Sequence, residues 1–148
     1  MDELDLRIRN HLYASFVQEG NAQEPWEAAR ALGIDEAEAE AAYRRLHDAH
    51  ALVLHEGTSR IRMLNPFAAG ETSHRVTAAG RTWFANCAWD ALGIPAALHA
   101  EGRIESRCPD CGEPLELEVR AGGLARGAEL LVHFAVPARR WWDDIVFT

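Results

Sequence analysis

The stretch His74-Arg75-Val76-Thr77-Ala78-Ala79-Gly80-Arg81-Thr82-Trp83-Phe84-Ala85-Asn86-Cys87-Ala88-Trp89-Asp90 decides how the second half of the chain is read. Residues 74–77 and 81–84 are β-prone and flank the turn-forming Ala78-Ala79-Gly80, which predicts a hairpin. From about Asn86 the pattern turns helical and runs to Leu92, with Gly93 and Pro95 expected to close it. Cys87 and Asp90 then stand three residues apart on one helix face. With Asn86 as the N-cap, Cys87 falls in the first turn, where the helix dipole and free N–H groups are expected to lower the thiol pKa. A soft sulfur nucleophile beside a proton-carrying carboxylate suits cleavage of a bond to a soft metal. The competing structural reading makes Cys87 a small core residue and Asp90 a solvated one.

Working toward the N-terminus, Leu4, Ile8, Leu12, Phe16 and Val17 recur at helical spacing and predict a helix over about 2–18, broken by Gly20-Asn21. A second helix is expected from Pro25 to Leu32, with Gly33 after its end. Asp35 followed by Glu38 resembles a capping box opening a third helix through Asp48. Residues 51–54 and 61–64 flank Glu56-Gly57-Thr58-Ser59 as a hairpin, and 65–73 reads as a loop. Toward the C-terminus, strands are expected at 103–107, 115–120 and 130–136, then a helical turn at 138–142 and a final strand from about Asp144. His133 in the third of these strands reads as a core histidine, Trp83 and Trp89 as core around the Cys87 helix, and Arg44 and Arg45 as a solvated face. One of Trp141 and Trp142 is expected to be buried and the other a lid. The chain is therefore α+β. An N-terminal winged-helix-like three-helix unit spans 1–65, and a small, mainly antiparallel sheet with a central helix spans 66–148.

Composition narrows the function. The 148 residues are 48% hydrophobic, enough for a real core, and no apolar run approaches the roughly 18 residues of a membrane span. The acidic start Met1-Asp2-Glu3-Leu4-Asp5 does not resemble a secretory signal, so the chain reads as cytoplasmic and membrane-free. A net charge of −8 argues against general nucleic-acid binding. Residues 1–65 hold 12 acidic side chains against 7 Arg. The third helix, where a recognition helix would lie, opens with Asp35, Glu36, Glu38 and Glu40, which repel phosphates. All 15 basic residues are Arg, which we attribute to genome composition rather than to phosphate binding.

Three cysteines are too few for a disulfide framework and point to thiol or metal chemistry. Cys108-Pro109-Asp110-Cys111-Gly112 is half of a zinc-knuckle pattern. A structural zinc needs four ligands, and the second pair is missing. Cys87, His74, His99 and His133 are the candidates to complete it, without supporting spacing; failing that, the motif is a turn between strands.

The chain resembles the organomercurial (alkylmercury) lyases. The resemblance rests on residues 82–92, with Cys87-Ala88-Trp89-Asp90 at their centre, then Ile94-Pro95-Ala96 with Leu98, then Cys108 with Gly112 and Pro114. It implies cleavage of a carbon–mercury bond to give a hydrocarbon and Hg(II), with no resident cofactor and with small external thiols as partners. Cys87 matches the family's first thiolate, and Asp90 matches the aspartate that helps deliver a proton to the leaving carbon. The family's second catalytic cysteine lies on a late strand near residues 145–148, where this chain has none. By that alignment the thiol falls just past Thr148, which reads the core as shortened at its C-terminus. Cys87, Cys108 and Cys111 are the candidate mercury ligands. The alternative functions are a non-catalytic soft-metal-binding thiol protein and a winged-helix metal-responsive regulator.

Overall fold

The computed structural model describes residues 1–145. The chain forms two compact units, Met1–Thr72 and Ser73–Thr148.

In the first unit, three helices precede short strands. Helix α1 (Glu3–Glu19) is opened by Asp2, whose side chain accepts from the Asp5 N–H while Asp5 returns the bond to the Asp2 N–H. Helix α2 (Pro25–Leu32) has a matching reciprocal cap from Glu24 and Glu27, with Pro25 in its first turn and Gly33 left-handed after its end. Helix α3 (Glu36–Asp48) is capped by Asp35 alone, through the Ala37 N–H. The box expected at Asp35 and Glu38 does not form there; the boxes belong to α1 and α2.

Ile8, Leu12 and Phe16 of α1 meet Ala28 and Ala29 of α2 and Ala39, Ala42, Tyr43 and Leu46 of α3 in the core. Two polar contacts fix this packing. The buried Tyr43 hydroxyl donates to the Gln23 carbonyl at 3.1 Å. Arg45 lies 2.7 Å from the buried Asp5 carboxylate and holds its pKa below the ordinary value against the cost of burial. Arg45 is thus a cross-helix partner, not a member of a solvated face; Arg44 does stay exposed, paired with Glu40. Strands β1 (Val53–Leu54) and β2 (Ile61–Leu64) form the expected hairpin. Strand β3 (Phe67–Ala68), inside the segment read as a loop, pairs antiparallel with β2 and buries Phe67 against Phe16.

The second unit is an antiparallel sheet carrying one helix. Strands β4 (His74–Ala78) and β5 (Arg81–Ala85) form the predicted hairpin, with Ala79 and Gly80 both at positive φ in the two-residue turn. Strand β6 (Gly102–Arg107) pairs with the other edge of β4, followed by β7 (Pro114–Arg120) and β8 (Gly123–Arg126). Strand β8 has no apolar alternation and escapes a sequence reading. The apolar run at 130–136 forms no strand: Leu130, Leu131 and Val132 instead line a small cavity over β6 and β7. His133 is exposed there rather than buried in a core. A 3-10 helix spans Ala138–Asp143, and the final strand expected from Asp144 falls mostly on residues 146–148, outside the described residues. No described helix is long and apolar enough to cross a membrane.

Helix α4 (Ala88–Ala97) lies on β4, β5 and β6. Alternation along these strands presents Val76, Trp83 and Ile104 side by side toward it, all buried, while Arg75, Arg103 and Glu105 form ion pairs on the other face. The helix runs through Gly93 and Pro95 rather than ending there. Proline forfeits one helical hydrogen bond, and burial of Ile94 and Pro95 against the sheet offsets it. That seating depends on Gly102. A Cβ built on Gly102 would stand 2.5 Å from Pro95 Cγ, and a proline ring has little freedom to yield. We therefore expect Gly102→Ala to cost about 1–3 kcal/mol through overpacking, measured by urea unfolding; an unchanged midpoint would show that α4 is seated otherwise.

Candidate active site

The site is built where β5 runs into α4. Asn86 follows the last residue of β5, and Cys87, not Asn86, is the N-cap of α4, with φ −150° and ψ 178°. The Cys87 carbonyl accepts the first helical bond, from the Ala91 N–H at 2.9 Å. Asp90 lies in the first turn, and Asn86 Nδ2 donates to its Oδ2 at 3.1 Å. The sequence reading made Asn86 a backbone cap; in the structure its amide orients the carboxylate.

Burial raises the pKa of both groups. The Cys87 thiol is pushed up chiefly by desolvation, assisted by the Asp90 carboxylate, while the backbone N–H groups of Asp90 and Trp89 oppose the rise. The lowered Cys87 pKa expected from the helix start is therefore overturned: the N–H groups act as foreseen, and burial outweighs them. Asp90 is likewise raised by burial, against the hydrogen bonds from Asn86 and from the Cys87 thiol. The thiol thus interacts with a carboxylate that itself favours holding a proton. Such a pair can pass a proton between sulfur and oxygen and onward to a third atom.

An apolar hollow of about 450 Å³ adjoins Trp89, which with Ala88 separates Cys87 from Asp90 in sequence. Phe134 and Trp141 line it, with ring centroids 6.3 Å from Phe134 to Trp89 and 5.0 Å from Phe134 to Trp141. Trp141 is fixed by its indole N–H, which donates to the Val136 carbonyl at 3.1 Å. Trp89 is 58% exposed, so it belongs to this hollow and not to the core, whereas Trp83 is buried as expected. Neither Trp141 nor Trp142 is fully buried. Phe134 lies in the segment misread as a strand, and no sequence signal marked it.

Cys108 and Cys111 stand elsewhere, on the β6–β7 turn. His74 pairs with Ala85 across β4–β5, and its ring Nδ1 is 2.8 Å from Ser106 Oγ on β6. Cys87 and Cys108 thus leave the same end of the sheet, but from strands separated by β4, roughly 10 Å at two strand spacings. Among the described residues no three or more His, Cys, Asp or Glu side chains are gathered to hold a metal. The grouping of Cys87 with Cys108 and Cys111 as joint ligands therefore does not form, nor does a zinc site completed by His74, His99 or His133.

Residues 67–148 match the family described as MerB, alkylmercury lyase. The chain belongs to the alkylmercury lyase family. Among solved structures it is similar to the mercury-bound form of MerB2, at 26% identity and a TM-score of 0.71 over 87% of this chain. The chain spans 62% of that protein's length. No curated protein sequence matches it.

The electrostatics set an order of thiol reactivity. Cys108 is lowered, chiefly by backbone N–H groups of Cys111 and Asp110, whereas Cys87 is raised. Iodoacetamide at neutral pH should label Cys108 before Cys87, with Cys87 catching up only at alkaline pH, as read by peptide mass spectrometry. Faster neutral labelling of Cys87 would show that burial does not govern its thiol.

Proposed function

We propose that the protein is an organomercurial lyase in which Cys87 takes the mercury and Asp90 supplies the proton. The observation that carries this reading is the Cys87–Asp90 pair at the start of α4, thiol at the N-cap and carboxylate in the first turn held by Asn86, with both groups raised by burial. Family membership and the likeness to a mercury-bound relative support it.

The chemistry balances as follows. The Cys87 sulfur displaces the anion X from R–Hg–X, forming R–Hg–S; X leaves, and the thiol proton passes to the Asp90 carboxylate. A thiolate from solution then adds to mercury as the second sulfur. Two soft thiolates on a soft metal push electron density onto carbon. As the carbon–mercury bond breaks, its electron pair takes the proton from the Asp90 carboxyl. The products are R–H, Hg(II) held between Cys87 and the external thiolate, and a regenerated Asp90 carboxylate. The Asn86 amide keeps that carboxylate aimed through both transfers. The reading places the protein in a reducing cytoplasm, where small thiols are abundant. It assigns the first unit a winged-helix-like supporting role without DNA, because α3 opens on Glu36 and Glu38.

Phenylmercury acetate with excess small thiol should release benzene above the thiol-only control. Asp90→Asn should slow release by about 100-fold or more, the scale of general-acid assistance, while leaving mercurial binding intact. Cys87→Ser should abolish benzene release and remove one bound phenylmercury per chain. Tight binding without benzene release by the wild type would overturn the enzyme reading.

A further inference from the structure

The β6–β7 turn holds sulfur chemistry that the proposed reaction does not use. Cys108-Pro109-Asp110-Cys111-Gly112 closes tightly: the Gly112 N–H donates to the Cys108 carbonyl at 2.9 Å, and the Cys108 N–H donates to the Glu113 carbonyl at 2.9 Å. Gly112 takes a φ of 73°, a conformation that favours glycine. This closure sets both thiols on one tight turn, Cys108 where β6 ends and Cys111 three residues on. The backbone N–H groups of Cys111 and Asp110 face that same sulfur and favour its thiolate. Both thiols are free, Cys111 is exposed and Cys108 is half-buried.

The donor set selects the ion. Zinc requires four ligands, and no group of three or more ligand side chains exists among the described residues. Two sulfurs alone suffice only for a soft cation that is satisfied by two thiolates in a line. We propose that Cys108 and Cys111 form a dithiol site for Hg(II), separate from Cys87. Two S–H bonds break, two S–Hg bonds form, and two protons leave to solvent. Cys87 follows β5 and the pair follows β6, with β4 between those two strands. Because the second sulfur is already tethered, the pair outcompetes a free monothiol by effective concentration. The site stands whether or not Cys87 and Asp90 turn over.

The test uses the full chain, reduced and freed of reductant, titrated with mercuric chloride in the presence of excess glutathione. The Cys87→Ser background removes the first site and with it the proposed reaction. It should retain one Hg(II) per chain by native mass spectrometry, with thiolate-to-mercury absorption in the ultraviolet. Adding Cys108→Ser or Cys111→Ala should lose that ion, weakening retention at least about tenfold as the tethered second sulfur is lost. Unchanged far-ultraviolet circular dichroism would tie the loss to sulfur and not to folding. Equal retention by Cys87→Ser and its Cys111→Ala derivative would overturn the proposal, as would failure of Cys87→Ser to hold any Hg(II).

Discussion

Everything at the candidate site follows from how α4 is pressed onto the β4–β5–β6 face. Pro95 sits against the bare backbone of Gly102, and Ile94 and Ala91 are buried beside it. This anchors the far end of a ten-residue helix whose near end carries the chemistry. With that end held, the chain leaving β5 at Ala85 has only Asn86 before the Cys87 cap. The thiol and carboxylate are therefore positioned by strand register and one helix turn rather than by a long loop. Sites on rigid elements keep their geometry better than sites on loops.

The same pressing decides the electrostatics. A helix start favours anions, and the N–H groups of Trp89 and Asp90 do favour the Cys87 thiolate. Burial acts in the opposite direction on both side chains and prevails. The result is a pair that retains a proton, which suits delivery to carbon better than a pair of free anions would. Cys108 makes the contrast: it also receives backbone N–H groups, but on an exposed turn where desolvation is weak, and its thiol is lowered. One kind of backbone donor thus yields opposite outcomes in two solvent environments.

Features set by local chemistry were legible in the sequence. Ala79-Gly80 marked the β4–β5 hairpin, Pro25 and Gly33 bounded α2, and the three-residue spacing placed Cys87 and Asp90 on one helix turn. Features set by distant partners were not. The Asp5–Arg45 pair joins residues 40 apart, and no local pattern separates Arg45 from the exposed Arg44. The helix passes Gly93 and Pro95 because the sheet beneath rewards its burial, and that support is invisible to propensity. Residues 130–136 look like a strand by apolarity, yet they cover a cavity and shape a hollow through Phe134. Apolar runs alone do not distinguish these uses.

The most direct test is the titration of Asp90 itself, followed by carboxyl carbon NMR on the full chain. The Asp90 pKa should lie above the ordinary aspartate value, because burial outweighs its hydrogen bonds. It should rise further in Asn86→Ala, because the amide that favours the carboxylate is gone. An Asp90 that titrates at or below the ordinary value, or one indifferent to Asn86, would contradict the account of a proton-holding pair.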